Sequence, residues 1–306
     1  MIVESKFTGC FIGLAIGDAY GAFYEGGILE RVLWQLIGRT SDGRRRYTDD
    51  TQMSVDVAQS FLENGGIDQD NLAQKFASSY KWSRGYGPSA AKLLKGISKG
   101  RDWRELNRKK FPEGSLGNGA AMRAPVVTLC HPYNDTTLAN YIKESAEITH
   151  AHPLAIEGAY AIAIATYMAL EDESNEIIIK AILIKTDSDR YRLKLNKCMD
   201  LLLSSGGTDS NVIKKHLGNG ILATESCITA IYFALKYRDS SLEHMLGDIF
   251  GLAGDADTIG AMAGSIWGAF NGVKSMAQMA EDVENVGLIE SLAKQLYNNY
   301  LTKISA

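Results

Sequence analysis

Two glycine repeats with a spacing of four residues, one near each end of the chain, constrain the fold more than any other feature. They are Gly9, Gly13, Gly17 and Gly21, and Gly260, Gly264, Gly268 and Gly272. On a helix, residues i and i+4 lie on nearly one face, so each repeat would form a strip without side chains. Each glycine costs up to about 1 kcal/mol of helix propensity relative to alanine, so four require a compensating contact. Because such strips let backbones approach closely, we predict that the two ends of the chain meet in the core.

Most of the remaining sequence predicts helix, because apolar residues recur at three- and four-residue spacing. The segments are Thr51–Glu63, Leu72–Trp82, Thr136–Ile148, Leu154–Glu171, Arg190–Leu203, Ile221–Lys236, Leu242–Leu252 and Leu288–Leu301. A strand is possible at Val126–Leu129, although its neighbours offer no pairing partner. No low-complexity linker and no repeat of 20–50 residues divides the chain. We therefore predict an all-α fold in which residues 1–306 form a single compact multi-helix domain.

The charge and the cysteine content limit which partners and which cellular compartment the protein can be expected to have. The 32 Lys and Arg residues against 36 Asp and Glu give a net charge of −4, which is not the basic footprint of a nucleic-acid-binding protein. The four cysteines contain no CxxC pair, so zinc sites and disulfide frameworks are disfavoured and a reducing cytosol is favoured. The N-terminus lacks a signal-peptide pattern. The most apolar run, Ile259–Phe270, is shorter than the ~20 residues of a membrane span. We expect a cytoplasmic monomer without nucleic-acid or membrane partners.

Two acidic clusters lie next to the glycine strips, at Thr48–Thr51 and Asp255–Thr258. Helix capping is the simpler interpretation of each, since Asp and Thr are preferred N-caps and acidic residues suit the first turn. Capping accounts for one Asp per helix. It leaves unexplained the second Asp in each cluster, because adjacent like charges repel unless a cation neutralises them.

Packing of the glycine strips would bring these clusters together with Glu25. The oxygen donors would come from Glu25, Thr48, Asp49, Asp50, Asp255, Asp257 and Thr258. An all-oxygen set selects hard cations such as Mg²⁺ or Mn²⁺ and not Zn²⁺. The five carboxylates would keep one net negative charge after binding two divalent ions, a balance that suits a two-metal centre. We therefore predict a site for two Mg²⁺ or Mn²⁺ ions.

A glycine-rich segment, Gly114–Arg123, could present backbone N–H groups to an anion. Neither the Walker A motif nor the dinucleotide fingerprint fits, because both require a preceding strand. A simple turn is the favoured interpretation of this segment taken alone. His150 and His152 stand beside a predicted helix start, where their i, i+2 spacing makes them poor joint metal ligands but suitable ligand contacts.

In combination, these motifs resemble the ADP-ribosylglycohydrolase family, which includes the dinitrogenase-reductase-activating glycohydrolases and ADP-ribosylarginine hydrolases. The resemblance runs through Gly9–Glu25, Tyr47–Met53, Gly117–Arg123, Thr149-His150 and Gly254–Ile259. It implies an all-α fold with a central dimetal site and cleavage of the bond between ADP-ribose and an acceptor. The metal ligands it implies are Thr48, Asp49, Asp50, Asp255, Asp257 and Thr258, with Glu25 alongside.

The resemblance also implies a ligand-binding set. Ser115, Gly117, Asn118 and Gly119 correspond to the loop that holds the diphosphate and the adjoining ribose, and His150 to a ligand-contacting histidine. Leu116 replaces an aromatic residue that several relatives place beside the adenine, so base stacking would fall to Phe111 or be weaker.

We expect Glu25 and Asp257 to be the catalytic acid/base candidates, because Glu25 has the longest reach and Asp257 lies between flanking ligands. The expected substrate is an ADP-ribosylated protein or a small ADP-ribose conjugate, with arginine-linked ADP-ribose the leading type. Serine-linked ADP-ribose and O-acetyl-ADP-ribose stay open, as do a non-catalytic binder, a crystallin-like relative and a phosphohydrolase that would release AMP.

Two further segments have open interpretations. The basic run Arg44–Arg46 either meets phosphates or an acidic acceptor, or is a solvated loop, which is the favoured alternative. The stretch Trp82–Pro88 either lines the acceptor side or packs in the core.

Overall fold

The computed structural model describes residues 2–131, 135–204 and 209–305, and this part of the chain contains seventeen α-helices and no β-strand. The helices are α1 Glu4–Gly21, α2 Ile28–Ile37, α3 Asp49–Asn64, α4 Gln69–Ser79, α5 Pro88–Ile97, α6 Trp103–Leu106, α7 Ala124–Cys130, α8 Asp135–Glu147, α9 Pro153–Leu170, α10 Asn175–Lys185, α11 Asp189–Leu203, α12 Ser210–His216, α13 Ala223–Lys236, α14 Leu242–Gly251, α15 Ala256–Asn271, α16 Ala277–Glu281 and α17 Val286–Ile304. Short 3-10 helices occur at Trp82–Arg84, Asn118–Ala120 and Lys274–Met276. The predicted all-α fold is confirmed.

The two glycine-strip helices form the centre of the molecule. They pack antiparallel, so that a Cβ on Gly13 would overlap the carbonyl oxygen of Gly264, and one on Gly17 would overlap that of Gly260. At the end of the strip the partner of Gly21 is not a glycine, since a Cβ there would lie 2.5 Å from the Cα of Asp257. The predicted meeting of the two ends of the chain is confirmed, and it places the end of α1 against the first turn of α15.

The surrounding helices bury this pair. Helices α9, α13 and α14 pack against α15, while α17 and α3 pack against α1. All eight helices predicted from periodicity are present. The predicted helix Leu72–Trp82 ends earlier, at Ser79, because the backbone turns to an extended conformation at Tyr80, and Trp82 begins a separate 3-10 turn.

The strand candidate Val126–Leu129 was wrong, because these residues lie inside α7. Pro125 occupies the first turn of this helix, where its missing N–H costs nothing. Every residue of α7 is buried, and the described part of the chain contains no strand that could accept its backbone hydrogen bonds. A helix satisfies those bonds internally, and this requirement outweighs the β preference of the two valines.

Within the described ranges, α9 is the helix long and apolar enough to cross a bilayer by length and composition. Of its 18-residue window, 61% is buried inside the molecule. Helix α9 packs against α13 and α15, and its apolar composition is therefore explained by its position in the core.

Candidate active site

The acidic clusters meet at the end of the glycine strips. Asp49 and Asp50 form the first turn of α3, whose N-cap is Thr48, while Asp257 lies in the first turn of α15 behind the N-cap Asp255. The contact of Gly21 with Asp257 brings α15 to the end of α1, from which the chain continues to Glu25. The predicted convergence of the two clusters is therefore observed.

Two groups of carboxylates have oxygen atoms within 4.8 Å of one another, and Asp257 belongs to both. One group contains Asp18, Asp50 and Asp257, and the other contains Glu25, Asp255 and Asp257. The two threonines face Asp50, whose Oδ2 accepts hydrogen bonds from Thr48 Oγ1 at 2.9 Å and from Thr258 Oγ1 at 3.5 Å.

The other oxygen of Asp50 indicates the kind of ligand that this site can hold. Asp50 Oδ1 is buried and has no hydrogen-bond partner among the described residues. An unpartnered carboxylate oxygen in the interior is costly unless it is protonated or binds a cation. The donors around it are carboxylate and hydroxyl oxygens, which suit Mg²⁺ or Mn²⁺. The residues present therefore fit a hard divalent cation.

Burial and mutual repulsion make these carboxyls hard to ionise without a cation. Burial, followed by the charge of Glu25, raises the pKa of Asp255 to about 7. The pKa values of Asp49, Asp50 and Asp257 are raised well above the ordinary value by burial and by neighbouring carboxylates. A divalent cation would reverse this balance, because its charge favours the ionised forms.

Asp18 is a member of the site that the motif analysis missed. It is fully buried in α1 and accepts hydrogen bonds from the backbone N–H of Thr48 at 2.9 Å and of Thr51 at 2.9 Å. Its Oδ2 also accepts the hydroxyl of Thr51 at 2.5 Å. These bonds involve both oxygens, so Asp18 holds the start of α3 in place in addition to belonging to the first carboxylate group. The available signal was an acid in the apolar second half of α1, directly after Gly17.

A cavity of about 770 Å³ opens beside the acidic clusters. Of the predicted site residues, its lining includes Glu25, Asp49, Ser115, Gly117, Asn118, Gly119, His150, Asp255, Asp257 and Thr258. Thr48 and Asp50 lie behind this surface, buried at 1% exposure each. Phe111, Lys110 and Leu116 also line the cavity, so the expected stacking residue Phe111 is in a position to meet a ligand.

Asn118 connects the glycine-rich loop to the acidic centre. Its Nδ2 donates to Asp255 Oδ2 and, at 3.0 Å, to Ser226 Oγ. Its backbone N–H donates to the carbonyl of Ile221 at 3.0 Å, and the N–H of Gly117 donates to Ser115 Oγ at 3.3 Å. These two N–H groups fix the loop, so anion binding by this segment would have to use its other groups.

His150 packs against this loop. A Cβ on Gly117 would make a tight contact, 3.0 Å, with His150 Nε2, and one on Gly119 would overlap the imidazole ring, so Gly119 has no room for a side chain. His150 Nδ1 lies 2.8 Å from Thr149 Oγ1. Burial, and then the charge of Arg123, lowers the pKa of His150 from 6.5 to about 3. The imidazole is therefore neutral at physiological pH.

The stretch Trp82–Pro88 divides between surface, core and cavity. Trp82 is 72% exposed, Tyr86 is buried, and Pro88 lines the cavity. Arg84 is buried in an ion pair with Glu284 and donates to the carbonyl of Tyr47, so it supports the loop before Thr48.

The basic run Arg44–Arg46 does not line the cavity in the described part of the chain. Arg45 pairs with Asp282 at 2.7 Å and stacks over Tyr20, while Arg44 pairs with Asp42 at 3.3 Å on the surface. The interpretation of this run as a solvated loop therefore holds for Arg44, whereas Arg45 packs against the molecule.

The fold and site define an all-α protein with an oxygen-rich acidic centre beside a cavity of about 770 Å³. The chain belongs to the ADP-ribosylglycohydrolase family, which its sequence matches over residues 1–305. It is 32% identical to the human ADP-ribosylhydrolase ARH3 over 93% of this chain and 92% of that protein. It is likewise 32% identical to ADP-ribosylhydrolase ARH3 of Xenopus tropicalis, over 88% of this chain and 87% of that protein.

A solved structure described as an ADP-ribosylglycohydrolase-related protein complex has the same fold. It superimposes with a TM-score of 0.72 and covers 96% of this chain and 98% of that one, at 21% identity. The membership identifies the protein as a glycohydrolase enzyme that acts on ADP-ribosylated substrates.

Proposed function

We propose that this protein is a metal-dependent hydrolase that releases ADP-ribose from its acceptor and uses two Mg²⁺ or Mn²⁺ ions. The observation that carries the metal proposal is the pair of carboxylate groups sharing Asp257, together with the unpartnered Oδ1 of buried Asp50. In this proposal the metal ligands are Thr48, Asp49, Asp50, Asp255, Asp257 and Thr258. Asp18 positions the first turn of α3 that carries two of them.

When bound, divalent ions in such a site orient hydroxyl groups of a sugar and lower the pKa of a coordinated water. The side chains of the protein account for the remaining tasks. Ser115, Gly117, Asn118 and Gly119 line the part of the cavity that would take the diphosphate end of the ligand, and Phe111 offers a ring to the adenine. Cleavage at the distal ribose develops oxocarbenium charge, which the surrounding carboxylates stabilise.

Glu25 is the better candidate for proton transfer. It lines the cavity and is partly exposed, whereas Asp257 is buried at 3% exposure and belongs to both carboxylate groups. This difference supports Asp257 as a ligand and Glu25 as the acid/base, because a proton carrier has to reach the reacting atoms.

We further propose an acceptor linked through oxygen, such as serine or an acetyl group, in place of the arginine link that the motifs favoured. The similarity to the ARH3 proteins supports this choice, because it favours serine-linked or acetyl-linked ADP-ribose over arginine-linked ADP-ribose. Expulsion of a serine alkoxide also requires a proton donor, whereas guanidine is a better leaving group. Glu25 at the cavity wall offers such a donor.

A panel of ADP-ribosylated substrates tests this proposal. The purified protein is incubated with serine-linked, arginine-linked and acetyl-linked ADP-ribose, with and without EDTA, and the products are separated by chromatography. We expect free ADP-ribose from the oxygen-linked substrates, loss of release in EDTA and its recovery with Mg²⁺ or Mn²⁺. Release from the arginine conjugate alone would contradict the linkage. Formation of AMP would indicate a phosphohydrolase, and no product at all would contradict the proposed activity.

We also propose that the protein works as a cytoplasmic monomer, without nucleic acid or membrane. The net charge of −4 and four buried, unpaired cysteines support this setting. Light scattering of the purified chain tests the monomer, for which the expected mass is 33.4 kDa.

A further inference from the structure

Behind the cavity wall lies a buried cation that the proposed chemistry does not use. The Arg123 side chain has 0% exposure and forms no ion pair within the described ranges. Its Nη2 donates to the carbonyl of Ser145 at 2.7 Å and to Thr149 Oγ1 at 2.9 Å. Its Nε donates to Ser145 Oγ at 3.0 Å, and Nη1 donates to the carbonyl of Gly119. Arg123 therefore joins the glycine-rich loop to the end of α8 and to Thr149.

The hydroxyl of Thr149 contacts both Arg123 and His150, so it links the guanidinium to the imidazole ring. Arginine can only donate, so Thr149 Oγ1 accepts from Arg123. The single proton of this buried hydroxyl then needs an acceptor, and His150 Nδ1 at 2.8 Å is the one that the described residues provide. If Nδ1 carried the hydrogen instead, the Thr149 hydroxyl would be a buried donor without an acceptor, which native structures avoid.

We propose that Arg123 and Thr149 hold His150 in the neutral tautomer with hydrogen on Nε2, so that His150 donates a hydrogen bond to an oxygen of bound ADP-ribose. This proposal rests on the proposed function for the identity of the ligand, while the tautomer itself does not depend on it. His150 lines the cavity, so its ring can contact a ligand there. Phosphate oxygens and ribose hydroxyls both accept such a bond.

The surroundings of His150 keep its ring neutral, as expected for a hydrogen-bond donor that takes no part in proton transfer. Burial and the nearby guanidinium lower its pKa to about 3, so the ring does not become an imidazolium at neutral pH. A fixed neutral donor binds the ligand without taking part in proton transfer, which leaves acid/base work to the carboxyl groups. Arg123 and Thr149 are thus positioning residues for a binding contact.

Nitrogen NMR of the ligand-free protein tests the tautomer directly. The protein is labelled with ¹⁵N-histidine, the His150 signals are assigned by their loss in His150→Gln, and ring couplings are recorded at pH 7. We expect a neutral ring with a protonated Nε2 and an unprotonated Nδ1. A protonated Nδ1, or a charged ring, would overturn the proposal without bearing on whether the protein is a hydrolase.

A pair of substitutions at Thr149 tests its role in positioning His150. We expect Thr149→Val to give a mixture of the two tautomers and about tenfold weaker ADP-ribose binding by calorimetry, the scale of one hydrogen bond. Thr149→Ser keeps the hydroxyl and should restore both the Nε2–H signature and the affinity.

Unchanged tautomer and affinity in folded Thr149→Val would contradict the role of Thr149. If that variant does not fold, the NMR result on the unmodified protein still decides the tautomer. Failure of the unmodified protein to bind ADP-ribose would contradict the proposed function and the ligand of this hydrogen bond, whereas binding with a protonated Nδ1 would contradict only this inference.

Discussion

Asp18 shows how a single side chain outside the recognisable motifs controls the site. It accepts hydrogen bonds from Thr48 and Thr51, and those residues begin the helix that carries Asp49 and Asp50. Burial raises the pKa of Asp18 to about 6 despite these hydrogen bonds, because the buried carboxylate has lost its hydration. Its role was not predicted because it depends on contacts between residues 30 and 33 positions apart, which no local sequence pattern reveals.

Asp18→Asn is expected to lower both stability and metal affinity. Its side-chain amide offers one acceptor oxygen and one donor group, so a donor from Thr48 or Thr51 would face an NH₂ and lose its partner. We expect a loss of about 2 kcal/mol in the free energy of unfolding in urea and Mn²⁺ binding about tenfold weaker by calorimetry. Asp56→Asn is the matched control, because Asp56 is buried and accepts from Ser79 at 2.5 Å. It should lose stability alone, and equal Mn²⁺ affinity in both variants would refute the special role of Asp18.

Two isosteric substitutions should separate the ligand from the acid/base. Asp257 belongs to both carboxylate groups, so we expect Asp257→Asn to lose Mn²⁺ binding and turnover together. Glu25→Gln should lose turnover, by a factor of about 100 or more, with a smaller effect on ADP-ribose binding. Metal titrations and steady-state rates on the most active substrate measure both effects. Full turnover in Asp257→Asn would refute the dimetal assignment.

At the scale of elements, the glycine strips control how closely α1 and α15 approach. A Cβ on Gly264 would overlap the carbonyl oxygen of Gly13, and backbone cannot move aside as a side chain can. We therefore expect Gly264→Ala to lower the free energy of unfolding by about 3 kcal/mol, the upper range for an overpacked core, and Gly264→Leu to lower it further. Urea denaturation measures the change.

Gly247→Ala is the opposite case and serves as the control for Gly264→Ala. Gly247 lies inside α14, is exposed, and nothing lies within 4 Å of the position that its Cβ would take. The same substitution should stabilise the protein there by about 0.5–1 kcal/mol through helix propensity. A destabilised Gly247→Ala, or a Gly264→Ala as stable as the unmodified protein, would contradict the close-contact explanation of the strips.

Most of the longer helices could be predicted from the spacing of their apolar residues, but α2 and α5 were missed although their apolar residues also follow a helical period. The eight periodic helices are present with ends displaced by three residues or fewer, because alternating buried and exposed faces leave a record in the sequence. Helix α10 was not predicted, since Ile177–Ile179 and Ile182–Ile184 crowd its faces with apolar residues. Part of α7 was predicted as a strand for the same reason, because all of its residues are buried and no polar face marks a helical period. The acidic clusters could be predicted, whereas Asp18 and the Arg123–Thr149 contact depend on tertiary packing.

At the scale of the whole molecule, the packing that forms the site also concentrates negative charge in the interior. The helices bury Asp50, Asp255 and Asp257 with at most 4% exposure each, and in the absence of metal those carboxyls have raised pKa values. Metal binding, folding and proton binding are therefore linked in this protein, because each carboxylate that binds a cation must first lose its proton.

This linkage gives a definite sign to the pH dependence of stability. The unfolded chain releases aspartate protons near pH 4, whereas Asp255 in the folded protein holds its proton up to about pH 7. The folded state then binds more protons than the unfolded state, so the free energy of unfolding falls as pH rises across this window. We expect metal-free protein in EDTA to lose stability from pH 4.5 to pH 7, by up to about 1.4 kcal/mol per pH unit for each carboxyl involved.

Saturating Mg²⁺ or Mn²⁺ should remove most of this loss, because the ions bind the ionised carboxylates of the folded state. A smaller loss should persist, since burial also raises the pKa of Asp56 to about 7 and Asp56 lies outside the two carboxylate groups. Asp255→Asn should show a shallower pH dependence in EDTA, because it removes one of the titrating groups. Urea denaturation at several pH values, with and without metal, measures these differences. A metal-free stability that rises from pH 4.5 to pH 7 would contradict the raised pKa values of the buried carboxyls, and a stability that metal leaves unchanged would contradict the cation site.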